Sequence, residues 1–148
     1  MRIYIDADGC PVVGLSVELA KKYKIGITLI SNTSHILKEP YAEIVTVEKG
    51  RDRADFEIVA RLNKGDILVT QDYGLAAMIL PKTNYVLNQN GWLYDQNNID
   101  TLLMTRHVSA KERRKGNRSK GPKKRTKEQD NDFKIALEKV IIEAKKLT

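Results

Sequence analysis

Five aspartates stand where this chain passes from apolar to polar residues. They are Asp6 and Asp8 in Arg2-Ile3-Tyr4-Ile5-Asp6-Ala7-Asp8-Gly9-Cys10-Pro11, Asp52 and Asp55 in Gly50-Arg51-Asp52-Arg53-Ala54-Asp55, and Asp72 in Val69-Thr70-Gln71-Asp72-Tyr73-Gly74. If the backbone stays extended beyond Asp6, Asp8 faces the same side; Asp52 and Asp55, three apart, share a helix face. Structural tasks alone would also explain them. Asp6 and Asp8 suit a turn whose backbone donors they accept, Asp52 and Asp72 suit helix N-caps, and Asp55 suits the positive end of a helix dipole. Asp55 is the hardest to explain so, because it heads the stripe Asp55, Ile58, Val59, Leu62, and a carboxylate on a core-facing stripe is costly without a cation or donors. Gathering so many like charges on one edge of a sheet raises their pKa values and costs stability unless a cation joins them. Hard oxygen ligands without a Cys/His cluster suit Mg²⁺ or Mn²⁺ rather than zinc. The chemistry of such a site is in-line attack of a metal-activated water on a phosphodiester. Thr70, beside Asp72, could hydrogen-bond a metal-bound water or a phosphate oxygen.

The elements that must position these groups follow from periodicity. Arg2 to Ile5 is an apolar, β-branched run that stops at two acids, a glycine and a proline, a strand handing over to a helix. Val12, Leu15, Leu19 and Tyr23 fall at helical spacing between Pro11 and Lys24, with Pro11 in the first turn and Gly26 ending the helix. Further strands are expected at 26–31, 43–47, 66–70 and 84–87, and a sixth at 91–94. Helices are expected at 52–63, with Phe56, Ile58, Val59 and Leu62 inward, and at 73–80, 99–108 and 132–146. Strands alternating with helices give a three-layer α/β/α fold on a mostly parallel sheet. In such folds ligands bind outside the carboxyl ends of the strands, where Asp6 and Asp72 stand.

The 148 residues suit one domain, with a basic segment over 106–127 and a final helix over 132–147 packed on the core. Of the net charge of +7, the segment from Arg106 to Lys127 alone carries +10, eleven Lys or Arg against Glu112, leaving −3 for the remainder. A basic strap on an acidic body suits a phosphate backbone, with Arg113, Arg114, Arg118, Lys123, Lys124 and Arg125 as the expected contacts; a solvated surface run has the same composition. No apolar run approaches a membrane span, the N-terminus lacks a signal-peptide layout, and one cysteine agrees with a reducing compartment, so a cytoplasmic location is expected.

Asp6-Ala7-Asp8-Gly9-Cys10-Pro11-Val12, Asp52-Arg53-Ala54-Asp55, Gly65-Asp66-Ile67-Leu68-Val69-Thr70-Gln71-Asp72-Tyr73-Gly74-Leu75-Ala76, Gly91 and Gly121-Pro122 resemble the pattern of the bacterial YaiI/YqxD family. That family is in turn similar to PIN-like and NYN-type nuclease domains, in which acids at strand ends bind divalent metal and RNA is cut. The resemblance implies a PIN-like fold, with Asp6, Asp55 and Asp72 as core ligands and Asp8 and Asp52 in support. Arg53 departs from the small residue common there and adds a potential phosphate contact.

Two other readings compete. Asp6-Ala7-Asp8-Gly9 and Lys64-Gly65-Asp66 resemble motifs of haloacid-dehalogenase-like phosphatases, but Asp66 precedes its apolar run and so belongs at the wrong end of the sheet. The strap alone would serve a non-catalytic RNA-binding or regulatory module with a vestigial acidic pocket. Cys10 near a helix start could have a lowered pKa, but position 16 is Ser16 where a cysteine-phosphatase loop needs arginine. His35 and His107 are isolated. Trp92, Tyr94 and Tyr85 could stack on bases, though aromatic residues in apolar strands generally pack in the core. The reading that joins most of these features is a divalent-metal-dependent nuclease acting on RNA.

Overall fold

In the computed structural model of the chain, the described residues are 1–32, 39–50, 52–114 and 124–147, with the backbone alone described over 106–114. Five strands, β1 (Arg2–Asp6), β2 (Gly26–Ser31), β3 (Glu43–Thr46), β4 (Ile67–Val69) and β5 (Tyr85–Leu87), form one sheet in the order β3-β2-β1-β4-β5. Every pairing is parallel, with Ile3 of β1 level with Ile27 of β2 on one side and with Ile67 of β4 on the other. The central strands are short and apolar on both faces, as a sheet covered on both sides requires: Ile3, Ile5 and all three residues of β4 are fully buried. Edge strand β3 is largely exposed and carries Glu43, which discourages pairing with another chain.

Alternation along the strands divides the core. Ile3, Ile5, Ile27, Leu29, Ile67 and Val69 pack beneath α1 (Val13–Lys22) and α5 (Lys127–Lys146); Tyr4, Ile30, Leu68 and Val86 pack beneath α2 (Arg53–Arg61), α3 (Tyr73–Ile79) and α4 (Gln96–Arg114). The result is the three-layer α/β/α fold expected from the alternation of elements. The α5 helix buries Phe133, Leu137, Val140, Ile141 and Ala144 and joins α1 as a second cover for that face. No helix among the described residues is long and apolar enough to cross a membrane.

Several local expectations are corrected. Pro11 lies before α1, whose cap residue is Val12, and α1 ends through Lys24 rather than Gly26. Lys24 takes a left-handed conformation (φ 56°), while Ile25 N donates to Ala20 O and Lys24 N to Lys21 O, the paired bonds of a Schellman turn. Phe56, expected inward, is 64% exposed on the outer face of α2, and Ile135 points outward from α5. The sixth strand reduces to one antiparallel bridge, Leu87 to Leu93: the chain turns at 88–91 and runs back along the outer edge of β5, with Tyr94 N donating to Val86 O. The α5 helix begins five residues earlier than expected because Thr126 and Gln129 form a capping box.

Candidate functional site

The sheet order places a switch point between β1 and β4. From β1 the chain moves outward through β2 to β3, and then crosses back to β4 on the other side of β1. Helix connections therefore diverge at the carboxyl ends of β1 and β4, opening the crevice in which α/β sheets bind ligands. A cleft of about 280 Å³ occupies that place, walled by Asp6, Asp8, Asp52, Asp55 and Asp72 together with Asn32, Gly50, Arg53, Ala54 and Gln71. All five aspartates singled out in the sequence thus line one cavity.

Their local settings differ. Asp6 ends β1 and accepts a hydrogen bond from Thr70 Oγ1 at 2.8 Å. Burial first, and then the charges of Asp55, Asp72 and Asp8, push its carboxyl up to about 6, against the opposing Thr70 hydrogen bond. Asp8 is tied to the end of β2: one oxygen accepts from Ser31 Oγ and the other from Asn32 N, both at 2.7 Å. Asp72 caps α3, its Oδ1 accepting from Gly74 N at 2.8 Å and Leu75 N at 3.2 Å. Asp52 precedes α2 in a left-handed conformation (φ 63°). It is exposed and occupies the N-cap position, Phe56 N donating to its carbonyl, but its side chain makes no capping bond, so the expected side-chain cap is absent there. Asp55 sits half-buried in the first turn of α2, on the side that buries Ile58 and Leu62. Thr70 is 1% exposed; its hydroxyl accepts from Asp72 N at 3.0 Å while donating to Asp6. It therefore aims Asp6 rather than presenting a free hydroxyl to a ligand.

The donor set fits a hard divalent cation in kind, since carboxylate and amide oxygens surround the cleft and a cation would offset the burial of charge and the neighbouring carboxylates that together lift Asp6. Among the described residues, however, no three Asp, Glu, His or Cys side chains are already gathered as a ligand set. Asn32, Gln71 and Arg53 complete the wall. Of these only Arg53 drew notice in the sequence; Asn32 and Gln71 are also strand-end residues, which is the signal that would have found them.

Other expected groups lie elsewhere. Arg125 is engaged by the protein itself, donating from Nε to Asp130 at 2.5 Å, from Nη1 to Asn90 Oδ1 at 2.8 Å and from Nη2 to the Gln89 carbonyl at 2.7 Å. Lys124 is exposed, and Arg113 and Arg114 fall on the last turn of α4, described by backbone alone. Arg118, Lys123, His35 and the Gly121-Pro122 pair lie outside the described residues, as does the side chain of His107. Burial pushes the Cys10 thiol up to about 11, which takes it out of nucleophilic chemistry. Tyr94 belongs to the core at 1% exposure, edge-on to Trp92 at 4.6 Å. Asp66, at the amino end of β4, accepts from Arg2 N and Asn63 N, far from the end that a phosphatase acid would need. A larger groove of about 860 Å³ runs between the 90–93 turn and α5, but its charged residues, such as Lys139 and Glu143, are exposed helix positions of mixed sign.

Comparison with known proteins agrees on a family. The profile described as "Uncharacterized BCR, YaiI/YqxD family" matches residues 4–143. A UPF0178 protein of Clostridium acetobutylicum is 45% identical over 98% of this chain and 99% of its own length. Another from Exiguobacterium sibiricum is 46% identical over 97% and 98%, and one from Alkaliphilus oremlandii is 48% identical over 93% and 88%. No solved structure matches the chain. On the strength of a profile and relatives that span nearly its whole length, this chain belongs to the YaiI/YqxD family.

Proposed function

We propose that the protein is a divalent-metal-dependent nuclease that hydrolyses phosphodiester bonds of RNA in the cytoplasm, in the manner of PIN-like domains. The observation that supports this best is the single cleft at the β1/β4 switch point, in which four other aspartates surround an Asp6 whose own ionisation is opposed. Stability alone would not retain that arrangement. In this reading Asp6, Asp55 and Asp72 hold Mg²⁺ or Mn²⁺, and Asp8 and Asp52 complete or orient the shell. The bound ion would supply Lewis acidity and a nucleophilic water at neutral pH. Thr70 fixes the rotamer of Asp6, Asp72 joins its capping bonds to the ligand role, and Arg53 at the rim stands where it can pair with a phosphate. The basic segment tracks the substrate backbone through Arg113, Arg114, Arg118, Lys123 and Lys124.

The test is Mn²⁺-dependent cleavage of single-stranded and structured RNA by the wild-type protein and Asp6→Asn. Loss of an outer-shell partner typically costs ~10–100-fold, so loss of a central ligand should reduce cleavage by about two orders of magnitude or more. Equal cleavage by the two proteins rejects the assignment, as does a calorimetric titration showing no Mn²⁺ binding. A second reading, a non-catalytic RNA-binding module, draws on the fact that both oxygens of Asp8 and one of Asp72 are already engaged by the protein. It expects RNA to bind equally well to both proteins and to remain intact.

A further inference from the structure

A line of hydrogen bonds runs behind the acidic cleft to the place where the basic segment rejoins the body. It begins at Thr70, all of whose polar atoms are engaged. The amide donates to Leu87 O at 3.0 Å, the hydroxyl accepts from Asp72 N at 3.0 Å and donates to Asp6 Oδ2 at 2.8 Å, and the carbonyl accepts from the Tyr94 hydroxyl at 3.1 Å. Because the Asp72 amide approaches the hydroxyl as a donor, the single hydroxyl proton is left for Asp6. The Tyr94 oxygen in turn accepts from Asn88 Nδ2 at 2.9 Å, and Asn88 Oδ1 accepts from Asn90 N at 2.9 Å. At the outer end, Asn90 Oδ1 and the Gln89 carbonyl are both held by the Arg125 guanidinium.

Thr70, Asn88 and Tyr94 are 1%, 5% and 1% exposed. A phenylalanine would fill the Tyr94 site without needing a partner, whereas a buried hydroxyl and a buried amide are tolerated only when paired. Among the described residues no buried side-chain nitrogen or oxygen lacks a partner, so the polar line is complete. A complete buried network fixes geometry. What it fixes is the loop that carries Thr70 and Asp72.

We propose that Asn88 and Tyr94 are positioning residues for Asp6 and Asp72, acting through Thr70, and that Arg125 anchors the outer end of the line, so that the basic segment and the acidic cleft share one support. The proposal rests on the reading of the cleft as a metal site, but its structural part stands apart from it. Tyr94→Phe removes only the hydroxyl and keeps the ring against Trp92 and Tyr73. Arg125→Lys keeps the charge and removes the fork that spans Asn90 and Gln89.

Two readouts are taken on each full-length variant, well below its unfolding temperature: the amide resonance and hydrogen exchange of Asp72 in metal-free protein, and Mn²⁺ affinity by calorimetry. In Tyr94→Phe the Asp72 amide should shift and exchange faster, and Mn²⁺ should bind about tenfold more weakly or worse, the range for lost outer-shell partners. Arg125→Lys should change both in the same direction and by less, and it carries the test if Tyr94→Phe does not fold. A lower melting temperature with the Asp72 amide and Mn²⁺ affinity both at wild-type values would overturn the proposal, leaving Tyr94 as packing alone. If the wild-type protein binds no Mn²⁺, the metal reading falls, and the Asp72 amide still decides whether the line positions the loop.

Discussion

An aspartate at the end of a buried strand, surrounded by other carboxylates, ionises at neutral pH only against the interests of the folded state. The unfolded Asp6 carboxyl titrates near 3.8 and the folded one at about 6. Between those values the native protein holds more protons than the unfolded chain, so stability falls as pH rises. Below about pH 4 the penalty is absent; above 6 it is complete, on the order of 3 kcal/mol at ~1.4 kcal/mol per pH unit. Asp6→Asn removes the charge and keeps an oxygen for Thr70, so urea unfolding should show it more stable than wild type by about 2–3 kcal/mol at pH 8 and equal to it at pH 4. A stability difference between variant and wild type that is the same at pH 8 as at pH 4 would refute this account of Asp6. Asp6, Asp8, Asp55 and Asp72 were legible because strand ends and helix starts are marked by abrupt changes of residue type. The settings of the others were not. The left-handed backbone of Asp52 depends on how separate loops meet, which no local pattern encodes; Asn32 and Gln71 carry the same strand-end signal as the acids but no charge to single them out.

Elements were legible wherever burial imposed a period. Ile3, Tyr4 and Ile5 show the continuous apolar run of a strand covered on both faces, and Ile58 and Leu62 the spacing of a helix with one face inward. Where a segment answers to a neighbour instead, the pattern misled: residues 91–94 read as a strand but act as a cover for the edge of β5. Gly91 shows why that turn holds its shape. Its φ is +94°, and a Cβ there would lie 2.7 Å from the Asp132 carbonyl oxygen and 2.8 Å from the carbon, backbone atoms that cannot rotate away. Gly91→Ala should therefore cost about 2 kcal/mol or more, combining an unfavourable backbone region at ~1–3 kcal/mol with displacement of α5. Lys24 is the converse case. A lysine holds the left-handed position of a Schellman turn that glycine fills without strain, so Lys24→Gly should stabilise by ~0.5–1 kcal/mol after the entropy of a freer unfolded chain is deducted. The pair can be read by chemical denaturation with opposite signs expected, and two changes of the same sign would contradict both arguments.

Across the whole molecule, charge is sorted: −3 on the body and +10 between Arg106 and Lys127. An acidic cleft alone would repel a polyanion, so a nuclease built on this body needs cations near the cleft or along the approach to it. The basic segment can supply them because its last residues are tied at Arg125 to the turn that follows β5, and parallel β5 ends at the same edge of the sheet as β1 and β4. This placement also separates two kinds of basic residue that composition cannot tell apart. Arg125 gives its guanidinium to Asn90, Gln89 and Asp130, whereas Lys124 beside it is exposed. For single-stranded RNA the dependence of log affinity on log salt has a slope of about −0.7 per neutralised phosphate. If Arg113, Arg114, Arg118, Lys123 and Lys124 each meet one phosphate, the slope should be about −3.5. Lys124→Gln should make it shallower by about 0.7. Arg125→Gln should lower affinity at every salt concentration, by releasing the anchor, and leave the slope where it was. A flat salt dependence would remove the polyanion reading of the segment, and a slope that changes with Arg125 but not with Lys124 would mean that the clasp opens when RNA binds.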